Sequence, residues 1–130
     1  MEDVKRSFWW RWLPVLGYMG IITFLSSRTS HQLPSWSLMK FDKVLHTLEY
    51  GGLGFLLCRA LPVKTPSTRI MLAAALGLAF GVVDEFHQTF VPGRSGNDLG
   101  DLTADWFGST LGAISFVVLV RWFGKESWFA

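Results

Sequence analysis

The chain has 130 residues, half of them hydrophobic, with seven Trp, eleven Phe and a formal net charge of only +2. That length accommodates one domain, 1–130, and a composition so apolar points to a membrane protein rather than a soluble one. The basic residues stand singly, which excludes the basic stripe of a nucleic-acid surface, and the lone Cys58 excludes an intramolecular disulfide or a cysteine-rich zinc motif.

Four windows are long and apolar enough to cross a bilayer at roughly 20 residues per crossing: 8–26, 42–61, 70–90 and 98–123. The first follows a charged MEDVKR start as the core of a signal peptide would, but it runs into SSRTSHQLP with no small-residue cleavage site. It is therefore expected to stay as a helix. The segments between windows (SSRTSHQLPSWS, PVKTPST, VPGRSGN) are rich in Pro, Ser, Thr and Gly, as turns between helices should be. The expected architecture is all-α: a polytopic bundle of four transmembrane helices. Cys58, in GFLLCRAL, reads as a small core residue, and the tryptophans at 9, 10, 12, 36, 122 and 128 read as aromatic belts at the two interfaces.

Orientation follows from Lys and Arg, which are in excess on cytoplasmic segments. With the N-terminus inside, that side takes Lys5, Arg6, Arg11, Arg59, Lys64, Arg69, Arg121 and Lys125, eight of the twelve. Both termini are then cytoplasmic in a multi-pass protein. The acids are distributed oppositely: Asp42, Glu49, Asp84, Glu85, Asp98, Asp101 and Asp105 all fall at or just below the outer ends of the second, third and fourth helices.

At about 1.5 Å rise per residue, those side chains sort into two depths. His46, His87 and Asp101 are expected roughly 5–6 Å below the outer helix ends, and Glu49, Asp84 and Asp105 roughly 9–10 Å below. Residues three or four apart share a helix face, so Asp42, His46, Glu49 and Tyr50 form one stripe, and Asp84, His87 and Gln88 another. Asp98, Asp101 and Asp105 continue into Gly108 and Gly112, a small-xxx-small face that lets helices approach closely. A charge at depth costs about 2.5–3.5 kcal/mol, so several together require partners, water or a metal. The expectation is a polar cavity open to the outside. Asp42 and Asp98 are expected to cap the helices they begin, Lys40, Lys43 and Arg28 to reach toward the interface, and His31 to be solvated.

The segments FDKVLHTLEYGGLGFLL and DEFHQTFVPGRSGNDLGDLTADWFGSTLGA resemble the VanZ-like family of bacterial membrane proteins over roughly residues 41–113. Asp42, Lys43, His46 and Tyr50 carry the resemblance in the first segment, and Asp84, Glu85, Gln88, Arg94 and Asp101 in the second. Asp105 stands where the family has Asn or Asp. The family takes its name from an accessory protein of teicoplanin resistance, so the resemblance implies a protein of the bacterial cytoplasmic membrane and cell envelope. It does not by itself imply a reaction.

The chemistry is therefore read from the residues. His46, Glu49, Asp84, His87, Asp101 and Asp105 offer ligands for a divalent metal, Zn or Mn if imidazole takes part and Mg if only carboxylates do. Such a site suits a metal-assisted hydrolase, a phosphatase acting on a lipid headgroup at the outer leaflet. Arg94, with Asn97, Lys43 and Tyr50, would bind substrate; Asp84, Glu85, His87 and Gln88 would carry catalysis, with Glu85 or His87 handling protons. The alternative is a non-catalytic protein that binds or masks an envelope lipid or lipid-linked cell-wall precursor. Proton-coupled transport is disfavoured, because the inner halves of the helices (FLLC, MLAAALGLAF, ISFVVLV) offer no charged path. The oligomeric state is left open.

Overall fold

The computed structural model describes residues 2–29, 32, 41–94, 96 and 98–124. Among them are four helices and no strand: α1 (Glu2–Ser26), α2 (Asp42–Ala60), α3 (Pro66–Gln88) and α4 (Leu99–Phe123). They match the four apolar windows closely, with differences only at the ends. The termination of α2 has a local cause: Leu61 precedes Pro62 and adopts an extended conformation (φ −63°, ψ 127°), the region that a pre-proline residue favours. Pro66 then starts α3 at a position where its missing N–H costs nothing. Between α3 and α4 the chain turns through Gly93 and Gly96, both at positive φ (76° and 45°). A Cβ at Gly96 would also press on the Thr89 amide and the Glu85 carbonyl.

Pro14 lies inside α1, yet the helix continues through it. Proline cannot donate to the carbonyl four residues earlier, so Trp10 loses its helical partner. Arg59, in the last turn of α2, supplies one: its Nη1 lies 3.4 Å from the Trp10 carbonyl and 3.5 Å from that of Arg11. The same contact holds the start of α1 against the end of α2. At the other end of the bundle, Ser27 meets His87 and Arg94 donates to the Arg28 carbonyl, which joins the end of α1 to the end of α3. Successive helices thus run antiparallel, and the acidic residues gather at one end.

The tightest packing is between α2 and α4, with α3 laid against α4. Small residues make this approach possible. A Cβ on Gly108 would strike the Thr47 backbone, one on Gly112 the Gly51 backbone, and one on Gly54 the backbone of Ser109. Ser109 also fills the space left by Gly77 of α3, so three helices converge on this one serine. Below it, Phe116, Val117, Leu53, Leu57 and Cys58 form an apolar core to which α1 adds Val15 and Ile22. Cys58 is buried and free, as expected.

The outside of the bundle is the more apolar part. Trp10, Met71, Phe90 and Trp122 are each at least 70% exposed, whereas Asp105 and Ser109 are fully buried. By length and composition, α3 and α4 are apolar enough to cross a membrane. Gly54→Ala or Gly112→Ala should each lower the melting temperature of the detergent-solubilised protein by several degrees. Gly20→Ala, where a Cβ meets nothing within 4 Å, should be neutral or raise stability by up to about 1 kcal/mol through helix propensity. Equal effects at the three positions would refute the close-approach account.

Candidate functional site

The site is built where α2, α3 and the start of α4 meet. Asp98 caps α4, its Oδ1 accepting from the amides of Gly100 (2.7 Å) and Asp101 (3.3 Å). Its own amide donates to Glu85 Oε2 at 3.1 Å, which ties the last turn of α3 to the first of α4. Asp42 behaves differently from expectation. It lies inside the first turn of α2, where the N-cap residue Phe41 makes no side-chain cap bond, and its carboxylate faces Lys43 and His46 instead.

Lys43 gathers the outermost carboxylates. Its Nζ bonds Asp101 Oδ1 and Asp98 Oδ2, the latter at 3.0 Å, and lies 3.5 Å from Asp42 Oδ2. One turn deeper, His46 Nδ1 is 2.7 Å from Asp105 Oδ1, and its Nε2 is 3.7 Å from Asp101 Oδ2 and 3.8 Å from Asp42 Oδ1. The imidazole therefore links the two depths that helical rise separates. Tyr50, one turn further along α2, stacks its ring on His46 with centroids 6.3 Å apart.

Several buried polar atoms here have no hydrogen-bond partner among the described residues: Glu85 Oε1, Asp105 Oδ2 and the Tyr50 hydroxyl. Each belongs to a residue that is at most 1% exposed. Unsatisfied acceptors at such depth cost about 1–3 kcal/mol each, and more when charged, so a cation, ordered water or a proton on the carboxyl would relieve them. The geometry fits a metal. His46, Glu85 and Asp105 present one ligand atom each within 4.8 Å of one another, and so do Asp42, His46 and Asp101.

The remaining expected site residues lie around this centre. Gln88 Nε2 donates to Asp84 Oδ2 at 3.2 Å, and Gln88 Oε1 accepts from Arg94 Nη2 at 3.3 Å, so Asp84, Gln88 and Arg94 form a chain running toward the surface. Arg94 is braced by the Arg28 carbonyl at 3.2 Å. His87 turns to α1, with Nε2 3.0 Å from Ser27 Oγ, and belongs to neither metal-sized group. Glu49 is half-buried and joins neither group; its carbonyl accepts from the Tyr18 hydroxyl at 2.7 Å. Asn97, Lys40 and His31 lie outside the described residues.

The sequence alone assigns Glu85 to proton transfer and not to the ligand set. A usable signal was present in the small-residue stripe Gly77–Gly81, which at four-residue spacing continues to Glu85. Gly81 itself abuts Asp105, the residue that Glu85 joins.

A family model described as VanZ/LLP1 matches residues 5–121. The chain belongs to the VanZ/LLP1 family. The match takes in α2, α3 and nearly all of α4, and with them every described residue of the acidic end. No curated protein and no solved structure matches this chain. Family membership together with the two apolar helices points to a membrane protein.

The cap at Asp98 can be separated from its charge. Asp98→Asn keeps an acceptor for the Gly100 and Asp101 amides and should cost little stability, whereas Asp98→Ala should cost about 1 kcal/mol and lower the melting temperature measurably. Matching melting temperatures for the two variants would assign Asp98 to charge pairing alone.

Proposed function

We propose that this VanZ/LLP1 protein spans the bacterial cytoplasmic membrane four times with both termini inside, and that its acidic end is a divalent-metal centre hydrolysing a lipid-linked phosphate at the outer leaflet. The observation that carries the reading is the buried group of His46, Glu85 and Asp105, with partnerless oxygens on both carboxylates and the partnerless Tyr50 hydroxyl beside it. The excess of Lys and Arg on the assigned cytoplasmic side supports the orientation. α1 and α2, at 25 and 19 residues, are long enough to cross with α3 and α4.

His46, Glu85 and Asp105 hold the ion, and the imidazole favours Zn or Mn over Mg. Once bound, such an ion supplies Lewis-acid charge and lowers the pKa of water. The protein does the rest. Arg94, held by Arg28 and Gln88, offers its remaining N–H groups to the headgroup phosphate, which carboxylates alone would repel. Gln88 fixes Asp84 through Oδ2, which leaves Oδ1 to take the proton of the attacking water. His87, half-buried beside Ser27 on the same helix turn as Asp84, would return a proton to the leaving oxygen as the phosphate ester bond breaks.

Purified protein should contain stoichiometric metal and release phosphate from a panel of lipid-linked phosphates. Glu85→Gln and Asp105→Asn should abolish both metal and phosphate release, while the protein stays monodisperse in detergent. Saturable lipid binding with neither metal nor phosphate release would select the masking protein instead. Arg94→Lys keeps the charge but loses the planar fork, so turnover should fall at least tenfold with metal content unchanged. For topology, cysteines placed at Ser67 and Thr89 in a Cys58→Ala background should label from opposite sides of the membrane. Labelling of both from outside would overturn the four-span arrangement.

A further inference from the structure

The two metal-sized groups at the acidic end are not equivalent. In the deeper one, His46, Glu85 and Asp105 face one another with no ammonium or guanidinium bonded to either carboxylate among the described residues. The outer one, Asp42, His46 and Asp101, already has a cation in it. Lys43 Nζ bonds Asp101, stands 3.0 Å from Asp98 Oδ2 and reaches Asp42 Oδ2 at 3.5 Å. Three carboxylates on one ammonium exceed what neutralisation by a single lysine requires, and Asp101 is a buried member of the set, its side chain only 6% exposed. Oxygen-rich arrangements of this kind are what Mg and Mn select.

His46 connects the two positions. Its Nδ1 faces Asp105 in the deeper group, and its Nε2 faces Asp101 and Asp42 in the outer one. Its ring therefore stands between the two groups, bonded through Nδ1 to Asp105 and, through Nε2, 3.7 and 3.8 Å from Asp101 and Asp42. The outer carboxylates, unlike the deeper ones, are neutralised by Lys43.

We propose that the Lys43 ammonium is a built-in cation closing the outer position, so that the centre takes one divalent ion where its carboxylates would otherwise hold two. This rests on the metal reading above. Lys43 and Asp42 are adjacent on the first turn of α2, so the same turn supplies both a carboxylate of the outer position and the charge that fills it. An ammonium held on Asp98 and Asp101 would present a positive charge to a phosphate without a second metal.

Manganese is the probe, because it accepts both imidazole and all-oxygen ligands. In the full-length detergent-solubilised protein, equilibrium dialysis should give one Mn per chain for the native sequence and for Lys43→Arg. Lys43→Gln and Lys43→Met should each give two, with the paramagnetic resonance signal broadened by coupling between neighbouring ions. Adding Asp101→Asn to Lys43→Gln should return the count to one. A second measurement needs no variant: the native protein should stay at one Mn as the metal is raised into the millimolar range. One Mn in the native protein and still one in both neutral variants overturns the role of Lys43 and leaves the metal centre standing. Two in the native protein overturns it as well. None in any form overturns the metal centre itself, and this inference with it.

Discussion

The His46 imidazole and the Asp105 carboxylate meet 2.7 Å apart at a level where neither is exposed, and the architecture around them follows from that contact. A carboxylate taken so far from water is tolerable only with a hydrogen-bonded, oppositely polarised partner. The partner stands on a different helix, so α2 and α4 must come close enough for an imidazole to bridge them. Bulky residues at the crossing would prevent it. Gly108, Gly112 and Gly54 leave the backbones in direct contact, with Ser109 at the centre.

Along α4 the inward face changes character with height. Phe116 and Ala113 belong to the apolar core, Gly112, Ser109 and Gly108 make the close crossing, and Asp105, Asp101 and Asp98 form the acidic end. α3 repeats the order from Gly77 and Gly81 to Asp84 and Glu85. Close packing and polar chemistry are therefore consecutive stretches of one stripe, which explains why so small a bundle can hold a dense set of acids. Around the crossing and the acidic end the interior is given to small and polar side chains, so large apolar residues are either in the core below, as Leu53, Leu57 and Phe116 are, or on the outside of the bundle.

The opposite end of the bundle solves its electrostatics with backbone rather than with acids. Arg59 satisfies carbonyls released around Pro14, and the buried Arg69 donates to the Leu61 carbonyl at 2.6 Å while lying over the Phe116 ring. One end thus has carboxylates in excess and the other guanidinium groups on carbonyls. A cation or a cation-dependent substrate has a reason to bind at the first end and none at the second.

The helices themselves, their order and the stripe of acids leading into glycines on α4 were legible in the sequence, because local hydropathy and the 3.6-residue period act within each segment. The inward facing of His46, Asp84, Asp101 and Asp105 was legible too, since a charge placed below a helix end in an apolar window is driven inward, whereas Glu49 and His87, read in the same way, are only half-buried. Which inward residues meet was decided only by the tertiary structure. Helical phase orders residues around one axis, but the rotation of one axis against another is set by side-chain packing across the crossing. That rotation sends His87 to Ser27 on α1 and leaves His46 between Asp105 and Asp101. It also widens the buried arc of α3, which packs on α4 and α2 and touches α1, so that Glu85 is buried alongside Asp84 although the two point about 100° apart around the helix. Lys43 illustrates the same limit. As a sequence position it is a charged residue at a helix start; only the arrival of Asp98 and Asp101 from α4 makes it the counter-ion of three carboxylates.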